Sequence, residues 1–100
     1  MMKKIPLQKT PSQSLKVRLD GQNCEIKIYY RFGDTYCDLT VNGEPVVYGA
    51  ICRDRQGIVQ IAQTSFVGQL LFVDMLGWDD PIYTDFGTRF RFFYKADDET

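Results

Sequence analysis

Between Leu15 and Val41 apolar residues recur at every second position, and the alternation breaks only at short turn signals. Leu15, Val17 and Leu19 alternate with Lys16 and Arg18. Cys24, Ile26 and Ile28 alternate with Glu25 and Lys27, and Cys37, Leu39 and Val41 with Tyr36, Asp38 and Thr40. A period of two sends successive side chains to opposite faces of a strand, so each run reads as a half-buried antiparallel strand. The breaks fall at Asp20-Gly21, Gly33-Asp34 and Asn42-Gly43. Asn-Gly is the strongest of them, because both residues accept the positive φ that a type I′ hairpin turn requires. A meander of hairpins follows, with no helical periodicity to compete with it.

The remaining segments read less uniformly. Val46–Cys52 (VVYGAIC) is apolar on both parities, as expected of a strand covered on both faces. A charged loop, Arg53 to Gly57, comes next, and Ile58 to Phe66 reads as a short strand or an irregular crossing. Gly68–Met75 places Leu70 and Phe72 on one face and Leu71, Val73 and Met75 on the other, so both faces call for burial. A chain of 100 residues buries about two-thirds of its unfolded surface. It hardly covers two faces of several strands alone, so either the sheet rolls into a barrel or a partner covers the rest. In Thr88–Tyr94, Phe90 and Phe92 face the core, and Arg89 and Arg91 face outward. Phe93 breaks the alternation and is exposed unless something packs on it.

The expected organisation is one domain. Residues 1–14 form an N-terminal stretch containing Pro6, Pro11 and the cluster Ile5-Pro6-Leu7, residues 15–95 form the β-domain, and residues 96–100 form a short acidic tail. The N-terminal stretch has two readings, a frayed terminus or an extended arm that pairs with a sheet edge in this chain or a neighbour. It lacks the continuous apolar run of a signal peptide, and no segment approaches a membrane helix. Synthesis in the cytoplasm, or entry into a larger particle from there, is the expectation.

Several function classes lose their chemistry. There is no histidine, so no imidazole base, no Ser-His or Cys-His pair and no histidine metal ligand. Glycines stand singly in turns rather than in a phosphate loop. Cys24, Cys37 and Cys52 are odd in number and lack CxxC spacing, which favours buried thiols over a disulfide framework or zinc site. Asp74, Asp79, Asp80 and Asp85 are candidate oxygen ligands. Their spacing matches no calcium loop, however, and WDDP is ordinary turn chemistry. No catalytic, cofactor or metal residue is assigned.

A rival of another class is a small β-barrel binding single-stranded nucleic acid, through Tyr29, Tyr30 and Phe93 with Arg31, Arg53 and Arg55. The net charge of −1 and the scatter of basic residues among acids oppose it, and they give no pull toward a membrane surface. Near-zero charge favours self-association or partner assembly instead. A lone Trp78 beside Gly77 either folds back over the end of the domain or anchors a partner.

The order and spacing of GQNC after the first hairpin turn, DLTVNG, GAIC, and LLFVD…DP.Y…GTRF carry a resemblance. From about Ile5 to Tyr94 the chain resembles the small baseplate plug proteins of contractile-tailed phages, the cyanophage-type plug domain. The resemblance implies a virion structural part at the hub and spike region of the tail baseplate, made in the bacterial host cytoplasm. It implies other baseplate proteins as partners, a homo-oligomer among the assemblies allowed, and no cofactor.

The expectation is therefore an all-β, single-domain antiparallel barrel or sandwich of six to eight strands that acts through protein contacts. The contact candidates are read from the residues themselves: Ile5 and Leu7 in the arm, Trp78 and Tyr83 in the loop, and Phe93 on the outer face.

Overall fold

A computed structural model describes residues 2–60 and 66–96. Its strands are β1 (Lys3–Ile5), β2 (Ser12–Leu19), β3 (Gln22–Arg31), β4 (Asp34–Val41), β5 (Glu44–Ile51), β6 (Gln69–Asp74) and β7 (Phe90–Lys95). They form two antiparallel sheets, a four-stranded meander β2-β3-β4-β5 and a three-stranded sheet β1-β7-β6. The architecture is a sandwich rather than a closed barrel.

The alternation builds the core directly. Cys24, Ile26, Ile28, Cys37, Leu39 and Val41 line the inner face of the meander, and Ile5, Leu70, Phe72, Phe90, Phe92 and Tyr94 line the facing sheet, all in one buried cluster. Phe72 stacks on Phe86 and tilts against Phe92, with centroids 5.4 and 4.7 Å apart. Burial raises the thiol pKa of Cys37 and pushes Cys52 up to about 12, so these thiols pack as small hydrophobes. The N-terminal stretch pairs within its own chain: Lys3, Lys4 and Ile5 lie opposite Tyr94, Phe93 and Phe92.

Three expectations change. Arg89, expected to face outward from a strand starting at Thr88, lies just before β7 and turns its guanidinium onto the buried Asp74 carboxylate. β5 is not covered on both faces; it is the outer strand of the meander, and Tyr48 is exposed. Its register with β4 shifts between Leu39↔Val47 and Thr40↔Pro45. That irregularity lets the consecutive Val46 and Val47 both pack partly against the core. Apolar residues on both parities therefore signalled a bulge. The second turn is shifted by one residue: Phe32 and Gly33 take the positive φ values, 53° and 86°, and Asp34 already belongs to β4. The irregular reading after Gly57 fits Ile58 to Gln60, which lie outside any strand with Ile58 and Val59 buried, whereas residues 61–65 of that expectation lie outside the described residues.

Candidate functional site

The polar residues buried in this core all sit on strand positions that face inward, and each of them holds a loop. Gln22 is tied to Val67 through both backbone groups: its Nε2 donates to the carbonyl at 3.0 Å, and its Oε1 accepts from the N–H at 2.8 Å. Thr35 Oγ1 donates to the Pro81 carbonyl at 2.8 Å. Asp74 ends β6 facing the core and is buried. Arg89 grips its carboxylate in a fork, Nε to Oδ1 at 2.9 Å and Nη2 to Oδ2 at 2.8 Å. The same carboxylate accepts the backbone N–H groups of Leu76 and Asp79, each at 2.9 Å. Hydrogen bonds to its ionised form, led by Arg89, hold this carboxyl well below the usual range, and the guanidinium is raised in turn.

The Asp74–Arg89 pair is the hub of the long loop, residues 75–89. Arg89 Nη2 also donates to Asp79 at 2.6 Å. Arg53 Nη1 donates to Asp80 at 3.0 Å and lies 3.6 Å from Asp34 at the start of β4. Asp80 Oδ1 accepts the N–H of Asp54 at 2.9 Å, and Asp54 Oδ1 accepts the N–H of Asp74 at 2.7 Å. Arg55 donates to Asp54, to the Gly77 carbonyl at 3.0 Å and to the Asp74 carbonyl at 3.2 Å. Three of the four aspartates offered by the sequence as ligands thus bind the protein's own arginines and amides. Asp85 closes a 3-10 turn through its backbone. Among the described residues no cluster of three or more such groups is placed to hold a metal ion.

On this fixed loop stand apolar side chains in solvent. Leu76 and Trp78 are 79% and 80% exposed, Met75 and Ile82 are exposed beside them, and Phe32 on the neighbouring β3–β4 turn is 94% exposed. Trp78 does not fold back onto the core. Its ring is covered on one side by the Arg55 guanidinium, 4.1 Å from the centroid.

The residues singled out in the sequence separate here. Ile5 is buried in the core, and Leu7 and Tyr83 are half-buried against it, Tyr83 edge-on to Tyr30 at 5.3 Å. Phe93 is half-buried on the outer face of the three-stranded sheet, between Lys4 and Leu71 in register. Only Trp78 stands at the exposed loop end. The exposed Phe32 and Leu76 were not among the candidates, although Phe32 had a signal: the X-Gly turns carry Asp20, Phe32 and Asn42, and one of these is apolar.

A family model described as cyanophage baseplate Pam3 plug gp18 matches residues 2–97. The chain belongs to this family. No curated protein sequence matches it. Membership in a baseplate plug family supports a structural role in a phage baseplate as the broad function. The segments that carried the plug-domain resemblance contain the residues that hold the loops: Gln22 in GQNC, Asp74 in LLFVD, Asp80 in the DP pair and Arg89 in GTRF. Tyr29 and Tyr36 stack on the outer face of the meander with Lys27 and Arg31 near the Tyr29 ring, but Asp38 accepts the Tyr29 hydroxyl at its centre. Arg53 and Arg55 are engaged by aspartates. Neither arrangement favours a nucleic-acid strand.

Proposed function

We propose that the protein is a non-catalytic part of the phage tail baseplate, fixed among the hub and spike proteins through the loop end of its sandwich. The observation that carries this reading is the pairing of a large exposed apolar group with a rigid mount. Trp78 and Leu76 sit on a loop whose backbone is held by the buried Asp74 carboxylate. An apolar side chain held out in water on an immobilised loop loses little further entropy when a partner covers it, which is the property of an interface anchor. The N-terminal strand completes the three-stranded sheet and leaves Lys3 and Lys4 exposed at its edge, a second place for a neighbour to approach.

Co-purification with the hub and spike proteins of the parent phage tests the reading. The natural chain is expected to be retained by one of them, and a Leu76→Ser, Trp78→Ala variant to be lost while remaining folded. Retention of that variant at the natural level overturns the assignment of the loop end. Saturable, salt-sensitive binding of a fluorescent oligonucleotide overturns the structural reading itself.

A further inference from the structure

Two surfaces of this nearly neutral chain combine exposed apolar side chains with charge of opposite sign. At the loop end aspartates outnumber arginines, and the side chains of Asp79 and Asp80 are 73% and 46% exposed around Trp78 and Leu76. The outer face of the three-stranded sheet is the opposite. Its outward positions are Lys4 on β1, Arg91, Phe93 and Lys95 on β7, and Leu71 and Val73 on β6, with Gln69 the one neutral polar residue. No carboxylate stands on those positions. Phe93 lies between Lys4 and Leu71, and Arg91 lies opposite Val73, so cations border an apolar centre. The Arg91 Nε is buried there and has no hydrogen-bond partner among the described residues.

We propose that the loop end of one copy docks on the outer face of the three-stranded sheet of a second copy. Trp78 and Leu76 cover Phe93, Leu71 and Val73, while the exposed sides of the Asp79 and Asp80 carboxylates, already paired with Arg89 and Arg53 within their own chain, turn toward Lys4 and Lys95. The two surfaces belong to one rigid sandwich and cannot meet within a chain, so their complementarity is satisfied between chains. A contact between unlike patches is heterologous: repeated, it closes into a ring or continues as a filament. The loop end proposed above to face hub or spike takes one occupant at a time, so the two readings compete for it, and the behaviour of the chain on its own separates them.

Sedimentation of the purified chain over a range of concentrations tests it. Association is expected at about 50 mM salt and is weakened at about 500 mM, where exposed charge pairs are screened. Trp78→Ala disables the loop end, and Lys4→Glu with Lys95→Glu disables the face without touching the core. Each variant alone is expected to associate at least about thirtyfold more weakly, the scale of losing a central anchor. Mixed together, the two variants are expected to form a one-to-one dimer that grows no further, since one intact loop end meets one intact face. A natural chain that stays monomeric throughout overturns the proposal, as does a mixture no more associated than its components.

Discussion

The two ends of the sandwich are closed by different means. At one end Asp20-Gly21 and Asn42-Gly43 turn the chain with polar residues at positive φ, and the Gln22 amide ties Val67 across to the meander. Tyr94 joins in, its hydroxyl 2.7 Å from Asp20 Oδ2 and 2.9 Å from the Val67 carbonyl. At the other end the same two-residue turn geometry is occupied by Phe32, and the facing loop exposes Leu76 and Trp78. Both ends are held from beneath by buried polar groups. Among the described residues the loop end presents the larger apolar surface to solvent, Phe32, Leu76 and Trp78 against Val67 at the closed end. The difference separates what the fold needs from what it does not: the loop end is mounted as firmly as the closed end, yet it carries residues that lower solubility and, at Phe32, strain the backbone.

The largest effect that can break this comparison is expected at Asp74. Its folded-state pKa lies well below the ordinary aspartate value of about 3.9. The stability contributed by the ionised form is therefore fully present above that value, and it is lost as pH falls from about 4 through the folded pKa. Asp74→Asn keeps the shape but cannot hold Arg89 as a carboxylate does. The variant should unfold at lower urea than the natural chain at pH 7, and the gap should narrow as the pH is lowered below about 4. A gap that persists unchanged in acid shows that the loop end is not held by this carboxylate.

Gln22→Ala makes the corresponding cut at the closed end. It takes the acceptor away from the Val67 N–H, while the carbonyl keeps the Tyr94 hydroxyl. The expected loss is about 2 kcal/mol in urea unfolding, the scale of stranding a buried donor or acceptor. Because Gln22 lies far from Trp78 along β3, assembly of the folded variant should be unaffected. A loss of assembly at equal folded fraction would mean the two ends are coupled.

These holding residues show what was legible in the sequence. The meander was readable because alternation and turn residues are local, and the Asn42-Gly43 hairpin stands where the pattern put it. Gln22, Thr35 and Asp74 were readable only as exceptions: each occupies an inward position between apolar neighbours, but its partner lies elsewhere in the chain. The division into two sheets, and the pairing of β1 with β7, depend on contacts between residues 3–5 and 92–94 that no local pattern encodes. β5 misled because a bulge and a doubly covered strand leave the same apolar signature. Of the contact candidates, Ile5 and Tyr83 looked available in sequence because exposure is a property of the packed chain.

Phe32→Asn sharpens the comparison with a smaller effect of the opposite sign. A non-glycine residue at φ 53° is strained, and asparagine tolerates that region better than phenylalanine. With the Phe32 side chain exposed, little burial is lost. The variant should gain about 0.5–1 kcal/mol in urea unfolding, making this turn resemble Asn42-Gly43. If assembly weakens while stability rises, the phenylalanine is retained for contact. If both are unchanged, the strain argument fails.

Trp78→Ala should cost no more stability than Phe32→Asn gains. The tryptophan buries little, and its one resolved ring contact is the Arg55 guanidinium, an exposed cation–π pair of about 0.5–1 kcal/mol. Arg55 itself is held by Asp54 and two backbone carbonyls, so the loop keeps its mount when the ring is removed. A core aromatic would cost about 3–5 kcal/mol on the same truncation. Urea unfolding near the lower figure, together with loss of assembly, assigns the side chain to a partner. A loss of several kcal/mol would mean that Trp78 closes its own end after all, and the two ends of the sandwich would then differ in composition but not in purpose.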